Sequence, residues 1–251
     1  MPPTPLNVDA HRPARLRATD LCTDCKSKAK LLCDLADRDR GSGPSKRPLI
    51  SREDGEIIYR TGDASALFVL KQGAARLVHI TQDGRRHVIE FIFPDDFFKF
   101  AESETYQYTV EAIGSVKYCR ITGPMDCGAF EVLRPDVIIE SLLQRLADSD
   151  EHIVVLNEKH AVRKIVAFIL MLSNRAADRG LEPDCIALPM SRSDIGDYLN
   201  LRIETVSRCL THLKSAQLIS MKSPHAINIL NRDALTALRF IDNLSLPGNA
   251  P

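Results

Sequence analysis

Between residues 49 and 120 apolar and polar positions alternate in short runs. "EIIYRTGD", "ALFVLKQGAARLVHI", "RRHVIEFIFPDD" and "TVEAIGSVKYCRI" each read as strand, punctuated by Gly62, Gly73, Gly84 and Gly114. The stretch "TQDGR", residues 81–85, is a hairpin signal between two of them. Short strands at regular spacing with few helical patterns predict a small barrel or roll. From Pro135 the period becomes helical. Leu142, Leu146, Ser149, Ile153, Leu156 and His160 recur at spacings of four and three, a heptad seam with two polar positions in it. That seam suits a helix packed on its own domain or a helix paired with its copy in a dimer. A second amphipathic segment, residues 161–180, closes on Gly180 at a C-cap.

The most informative pattern follows, in "MSRSDIGDYLNLRIETVSRCLTHLKSAQLI", residues 190–219. Ser191 with Asp194 makes a capping-box start, and Ile195 and Leu199 follow at helical spacing. A tight turn is expected at Asn200, because Asn tolerates the left-handed backbone. Gly196 is the small residue that lets the two helices cross closely. The second helix places Val206, Cys209, Leu210 and Leu213 on one face, so the pattern is a helix-turn-helix whose second helix can enter a major groove. "LISMK" and "INIL", around a Ser-Pro turn, read as two strands of a wing.

Charge sharpens this picture. The whole chain balances 33 basic against 33 acidic residues, which argues against a protein that coats nucleic acid. Residues 157–230 nevertheless hold ten Lys/Arg against seven Asp/Glu, a mildly basic head. On the second helix Arg208 has the reach for guanine O6 and N7, Glu204 for a cytosine amino group, and Ser207 for a base edge or phosphate. The plain alternative is that Glu204 and Arg208, four residues apart, pair with each other on a solvated face. No nucleophile–base set, paired-carboxylate motif or phosphate loop suggests an enzyme. No apolar run of about 18 residues suggests a membrane span, and the first twenty residues lack the apolar core of a secretory signal, so a cytoplasmic protein is expected.

Seven cysteines stand at 22, 25, 33, 119, 127, 185 and 209. The cluster Cys22, Cys25 and Cys33, in a reducing compartment, points to metal or redox chemistry before structural disulfides. Four thiolates would suit an iron–sulfur cluster or zinc, and a redox pair between Cys22 and Cys25 is the other alternative. Cys209 belongs to the buried face of its helix. The organisation expected is a flexible cysteine-bearing region (1–48), a β-roll sensor domain (49–134), a dimerisation helix (135–160) and a winged helix-turn-helix (161–251), an α+β chain.

This layout of β-roll, long helix and winged helix-turn-helix resembles the CRP/FNR superfamily of bacterial transcription regulators. "SDIGDYLNLRIETVSR" is particularly similar to its FNR and FixK branches, whose Glu-x-x-Ser-Arg signature falls on Glu204, Ser207 and Arg208. The resemblance implies a homodimer reading a palindrome of the TTGAT…ATCAA type in double-stranded DNA, with Arg202 as an added phosphate or base contact. It implies a 4Fe–4S cluster held by Cys22, Cys25, Cys33 and Cys119, with Cys127 the rival for the fourth place, and oxygen as the signal. FixK-type relatives bind the same kind of site without a cluster. The dimer seam of Leu142, Leu146, Ser149, Asp150 and Ile153 would be held near balance by Asp148, Asp150 and Glu151 repelling their symmetry mates. RNA polymerase would be contacted by residues 82–86 and about 175–183. Cyclic nucleotide is not expected, because no arginine stands between Lys99 and Arg120 to pair with a phosphate. The polar, Gly- and Pro-bearing segment 34–54 replaces the amphipathic helix that many relatives have there.

Overall fold

Two thirteen-residue strands, β3 (Phe68–Ile80) and β6 (Tyr108–Arg120), run antiparallel from the pair Phe68–Arg120 to the pair His79–Tyr108 and form the spine of the first half. The computed structural model describes residues 49–60, 68–81, 83–98, 108–120 and 135–239. Around the spine lie β1 (Ile50–Arg52) and β2 (Ile57–Arg60) on β6, and β4 (Arg86–Ile92) and β5 (Phe97–Phe98) on β3. The register of β3 shifts on both sides of Gln72, and there Gly73 (φ +85°) packs so closely that a Cβ would lie 2.5 Å from the Ser115 carbonyl oxygen. Only glycine lets the two long strands bend together at that point. The expected hairpin joins β3 to β4, with Thr81 and Arg85 bonded across it and Gly84 in a left-handed conformation.

Alternation along these strands buries both faces. One face forms the roll interior, where Phe68 stacks on Phe98 at 5.3 Å and meets Tyr118 edge-on at 5.9 Å. The other face presents Ala74, Val88, Phe91, Phe93 and Ile113 to the second half of the chain.

That second half begins with α1 (Pro135–Leu156), followed by α2 (Ala161–Asp178). The seam helix expected over 135–160 stops at Leu156, and His160 is the N-cap of α2 instead of a seam position. Gly180 closes α2 as expected: its N–H reaches the Ala177 carbonyl while φ is +70°. The remaining elements are β7 (Cys185–Ala187), α3 (Arg192–Leu199), α4 (Ile203–Ser215), β8 (Ile219–Ser223), β9 (Ala226–Ile229) and the short α5 (Arg232–Ala237). β7, β9 and β8 form one sheet in that order, so the wing has a third strand that its brief, unpatterned sequence did not announce. Lys164, buried on α2, donates to the Leu156 and Leu199 carbonyls at 3.0 and 3.2 Å. A cation at the carbonyl ends of α1 and α3 is favourable, and it ties those ends together.

The head does not hang free from α1. Phe91 of the roll packs on Phe168 of α2 and on Tyr198 of α3, at ring distances of 6.1 and 5.1 Å, within one continuous apolar core. His152 of α1 stacks on Tyr198 at 3.8 Å, nearly parallel, and its Nε2 lies 2.8 Å from the Tyr198 carbonyl oxygen.

Candidate nucleic-acid interface

Local chemistry sets the two helices of the motif. The Ser191 hydroxyl accepts from the Asp194 N–H at 3.0 Å, while the Asp194 carboxylate accepts from the Ser191 N–H at 3.1 Å, a complete capping box. Helix α3 ends at Asn200, which takes the left-handed conformation at φ +52°. The Leu201 N–H returns to the Gly196 carbonyl, and a Cβ on Gly196 would lie 2.6 Å from the Leu201 carbonyl oxygen. Gly196 therefore admits the backbone of the turn itself, a more specific role than close helix crossing. Val206, Cys209, Leu210 and Leu213 then anchor α4 from below, and burial pushes the Cys209 thiol up, as suits a core residue.

The opposite face of α4 is open. Glu204, Ser207, Arg208 and Thr211 are exposed along one stripe, with Arg202 at the N-cap and Ile203 at the first turn also exposed. Among the described residues no ion pair joins Glu204 to Arg208, so the pairing alternative is not the arrangement present. Thr211 and Ile203 on this helix, and Lys222 and Ser223 on the wing, are also exposed and were not singled out from the sequence. Their signal was available, since Thr211 continues the stripe seven residues after Glu204. Arg192 was missed too. It donates to the Pro224 carbonyl oxygen at 3.3 Å, fastening the start of α3 to the wing turn, and burial lowers its pKa.

On α1 the face away from the roll carries Leu142, Leu146 and Ile153, each more than half exposed, with Ser149 and Asp150 exposed among them. The other face packs inward: Arg145 pairs with Glu90 at 2.6 Å, Asp148 pairs with Arg175 of α2, and Val155 is buried. Glu151 faces Arg239 at 3.6 Å. Asp148 and Glu151 are thus engaged within the chain, which corrects the expectation of three carboxylates facing their symmetry mates. Asp150, by contrast, is exposed beside Ser149.

Cys22, Cys25, Cys33 and Cys127 lie outside the described residues. Cys119 is buried near the end of β6, opposite Val69 on β3. It points away from the interior face that Tyr118 occupies, and neither it nor Val69 belongs to either apolar cluster. Strand β1 starts beside it, with Ile50 paired to Tyr118. The chain leading back to Cys33 therefore joins the sheet next to Cys119, and sixteen residues reach up to roughly 50 Å when extended. Of the four cysteines expected to hold a metal group, Cys119 is the one whose position the structure describes.

A β-roll of the cyclic-nucleotide-binding shape, docked on a winged helix-turn-helix with an open reading face, defines a DNA-binding regulator. The comparisons agree: residues 49–124 match the cyclic nucleotide-binding domain and residues 163–238 the Crp-like helix-turn-helix domain. The chain is 32% identical over 200 residues to the nitrogen fixation regulation protein FixK of Bradyrhizobium diazoefficiens, covering 77% of this chain and 83% of that protein. It is 29% identical over 229 residues to the transcriptional activator protein FnrA of Stutzerimonas stutzeri, covering 86% and 91%. Among solved structures, FixK2 from Bradyrhizobium japonicum superposes with a TM-score of 0.65 at 26% identity, covering 78% of this chain and 99% of that one. The chain belongs to the CRP/FNR superfamily, in its FNR/FixK branch. It is a DNA-binding transcription regulator and not an enzyme. Among the described residues no helix is long and apolar enough to cross a membrane.

Proposed function

We propose that the chain acts as a homodimeric regulator that reads a TTGAT…ATCAA-like palindrome and is governed by oxygen through its cysteines. The observation that carries the DNA half is the exposed stripe of Glu204, Ser207 and Arg208 on a helix whose other face is locked into the core. Arg208 offers the bidentate donor that guanine accepts, Glu204 the acceptor for a cytosine amino group, and Ser207 a small donor between them. Arg202, at the N-cap of α4, and Lys222, exposed on the wing, would serve as phosphate contacts. The dimer reading rests on the open apolar seam of α1, which a second copy of the same helix would cover.

The sensing half rests on Cys119 standing beside the strand that leads to Cys22, Cys25 and Cys33. A 4Fe–4S cluster on these four thiolates would supply sensitivity to oxygen. The alternative is a FixK-like regulator that binds the same kind of site without a cluster, which the similarity to FixK proteins favours, or a regulator controlled by cysteine redox chemistry. The roll is read as a non-binder of cyclic nucleotides, since no arginine stands between Lys99 and Arg120. RNA polymerase is the proposed partner, touched by the exposed hairpin residues Asp83 and Arg85 and by Leu181 and Glu182. Arg86, Arg175 and Arg179, in the same stretches, are engaged inside the chain.

Binding measured on a palindrome and on its single-base variants tests the DNA reading. The expected result is loss at the symmetric guanine and cytosine positions in both half-sites. Equal binding to scrambled DNA would overturn it.

A further inference from the structure

Five charged side chains join the roll to α3, the first helix of the helix-turn-helix. Arg76 on β3 donates to Glu111 on β6 at 2.8 Å, and through Nη1 to both carboxylate oxygens of Asp194 at 3.0 Å. Arg86 on β4 donates to Asp197 at 2.9 Å, to Glu111 at 3.2 Å and to Asp194 at 3.3 Å. The Asp194 side chain is only 5% exposed, and it is the same carboxylate that completes the capping box of α3. On its own, burial raises the Asp194 pKa, but Ser191 and the two guanidinium groups outweigh it and hold the carboxyl below its usual range.

Exposed single ion pairs contribute little, whereas a shared, partly buried network of charge-assisted bonds resists rearrangement. Helix α3 continues through the turn at Asn200 into α4, so whatever pins α3 to the roll also sets the angle of the reading face. We infer that Arg76 and Arg86, though remote from DNA, are positioning residues for recognition. They hold each head at one orientation to α1, so that two heads meet two half-sites together. A head able to rotate would still read one half-site and would lose the gain from engaging both. The inference rests on the dimer-on-palindrome reading.

The test uses the full chain and two duplexes, one carrying the palindrome and one a single half-site, with Arg76→Gln, Arg86→Gln and the milder Asp197→Asn. For both arginine variants half-site binding should stay unchanged while palindrome affinity falls about tenfold. Asp197→Asn, at the solvent edge of the network, should fall in the same direction by less, and it serves if an arginine variant fails to fold. A palindrome-to-half-site ratio that stays at the unaltered chain's value in all folded variants overturns the inference. So does a parallel loss on both duplexes, which marks a merely structural role. An unaltered chain with no preference for the palindrome removes the dimer reading first, and the inference with it.

Discussion

Arg208 and Glu204 stand one turn apart on an exposed face, each with its polar end in solvent. Arg208→Ala should weaken specific binding by about 1–3 kcal/mol and relax the preference at one base pair per half-site. A selection over randomised sites checks this; uniform weakening on every sequence would mark a phosphate contact instead. His152 offers a second measurement at this scale. Burial lowers its pKa, outweighing the Tyr198 carbonyl, with Lys164 adding to the effect. A histidine with a depressed folded pKa takes up its proton more readily when unfolded. Its cost to stability is therefore absent at high pH and grows as pH falls below about 6.5. Replacing it with Phe, which preserves the stack on Tyr198, should flatten the fall in melting temperature over that interval.

Among the elements, the helix-turn-helix was legible because its determinants are local. Ser191 and Asp194 cap one another, Asn200 supplies the left-handed turn, and four apolar residues mark the buried side of α4. The seam of α1 was legible for the same reason of periodicity, but its end was not. At the break after Leu156, Lys164 bonds the carbonyl ends of α1 and α3 together, a contact across separate segments that no local pattern carries. Strand β7 escaped because three residues carry no alternation to read. Gly196→Ala should destabilise the head by about 1–3 kcal/mol, since its methyl group would collide with the Leu201 carbonyl; thermal unfolding measures this. Leu146→Glu should leave each chain folded and shift it to monomer in sedimentation, because Leu146 is already in solvent within one chain.

For the molecule as a whole, the pattern showed two halves and a helix, and the contact between the halves stayed hidden. Phe91 and Phe93 read only as part of an apolar strand, with nothing to say that their face meets α2 and α3. Arg76 and Arg86 lie more than a hundred positions from Asp194, so no spacing rule could pair them. Asp148 looked like part of a repulsive seam and instead answers Arg175. The candidate metal centre was legible as a set of residue types. Its placement in the fold is visible for Cys119 alone, because Cys22, Cys25 and Cys33 lie outside the described residues.

The central claim is that these cysteines govern a palindrome-reading dimer. The direct measurement is to purify the chain without oxygen, determine iron, sulfide and zinc, and follow binding to the palindrome before and after air is admitted to the same sample. The account predicts a brown protein with about four iron and four sulfide per chain that bleaches in air and loses its grip on the palindrome. A colourless anaerobic protein, carrying zinc or no metal and binding DNA equally well in air, would contradict it.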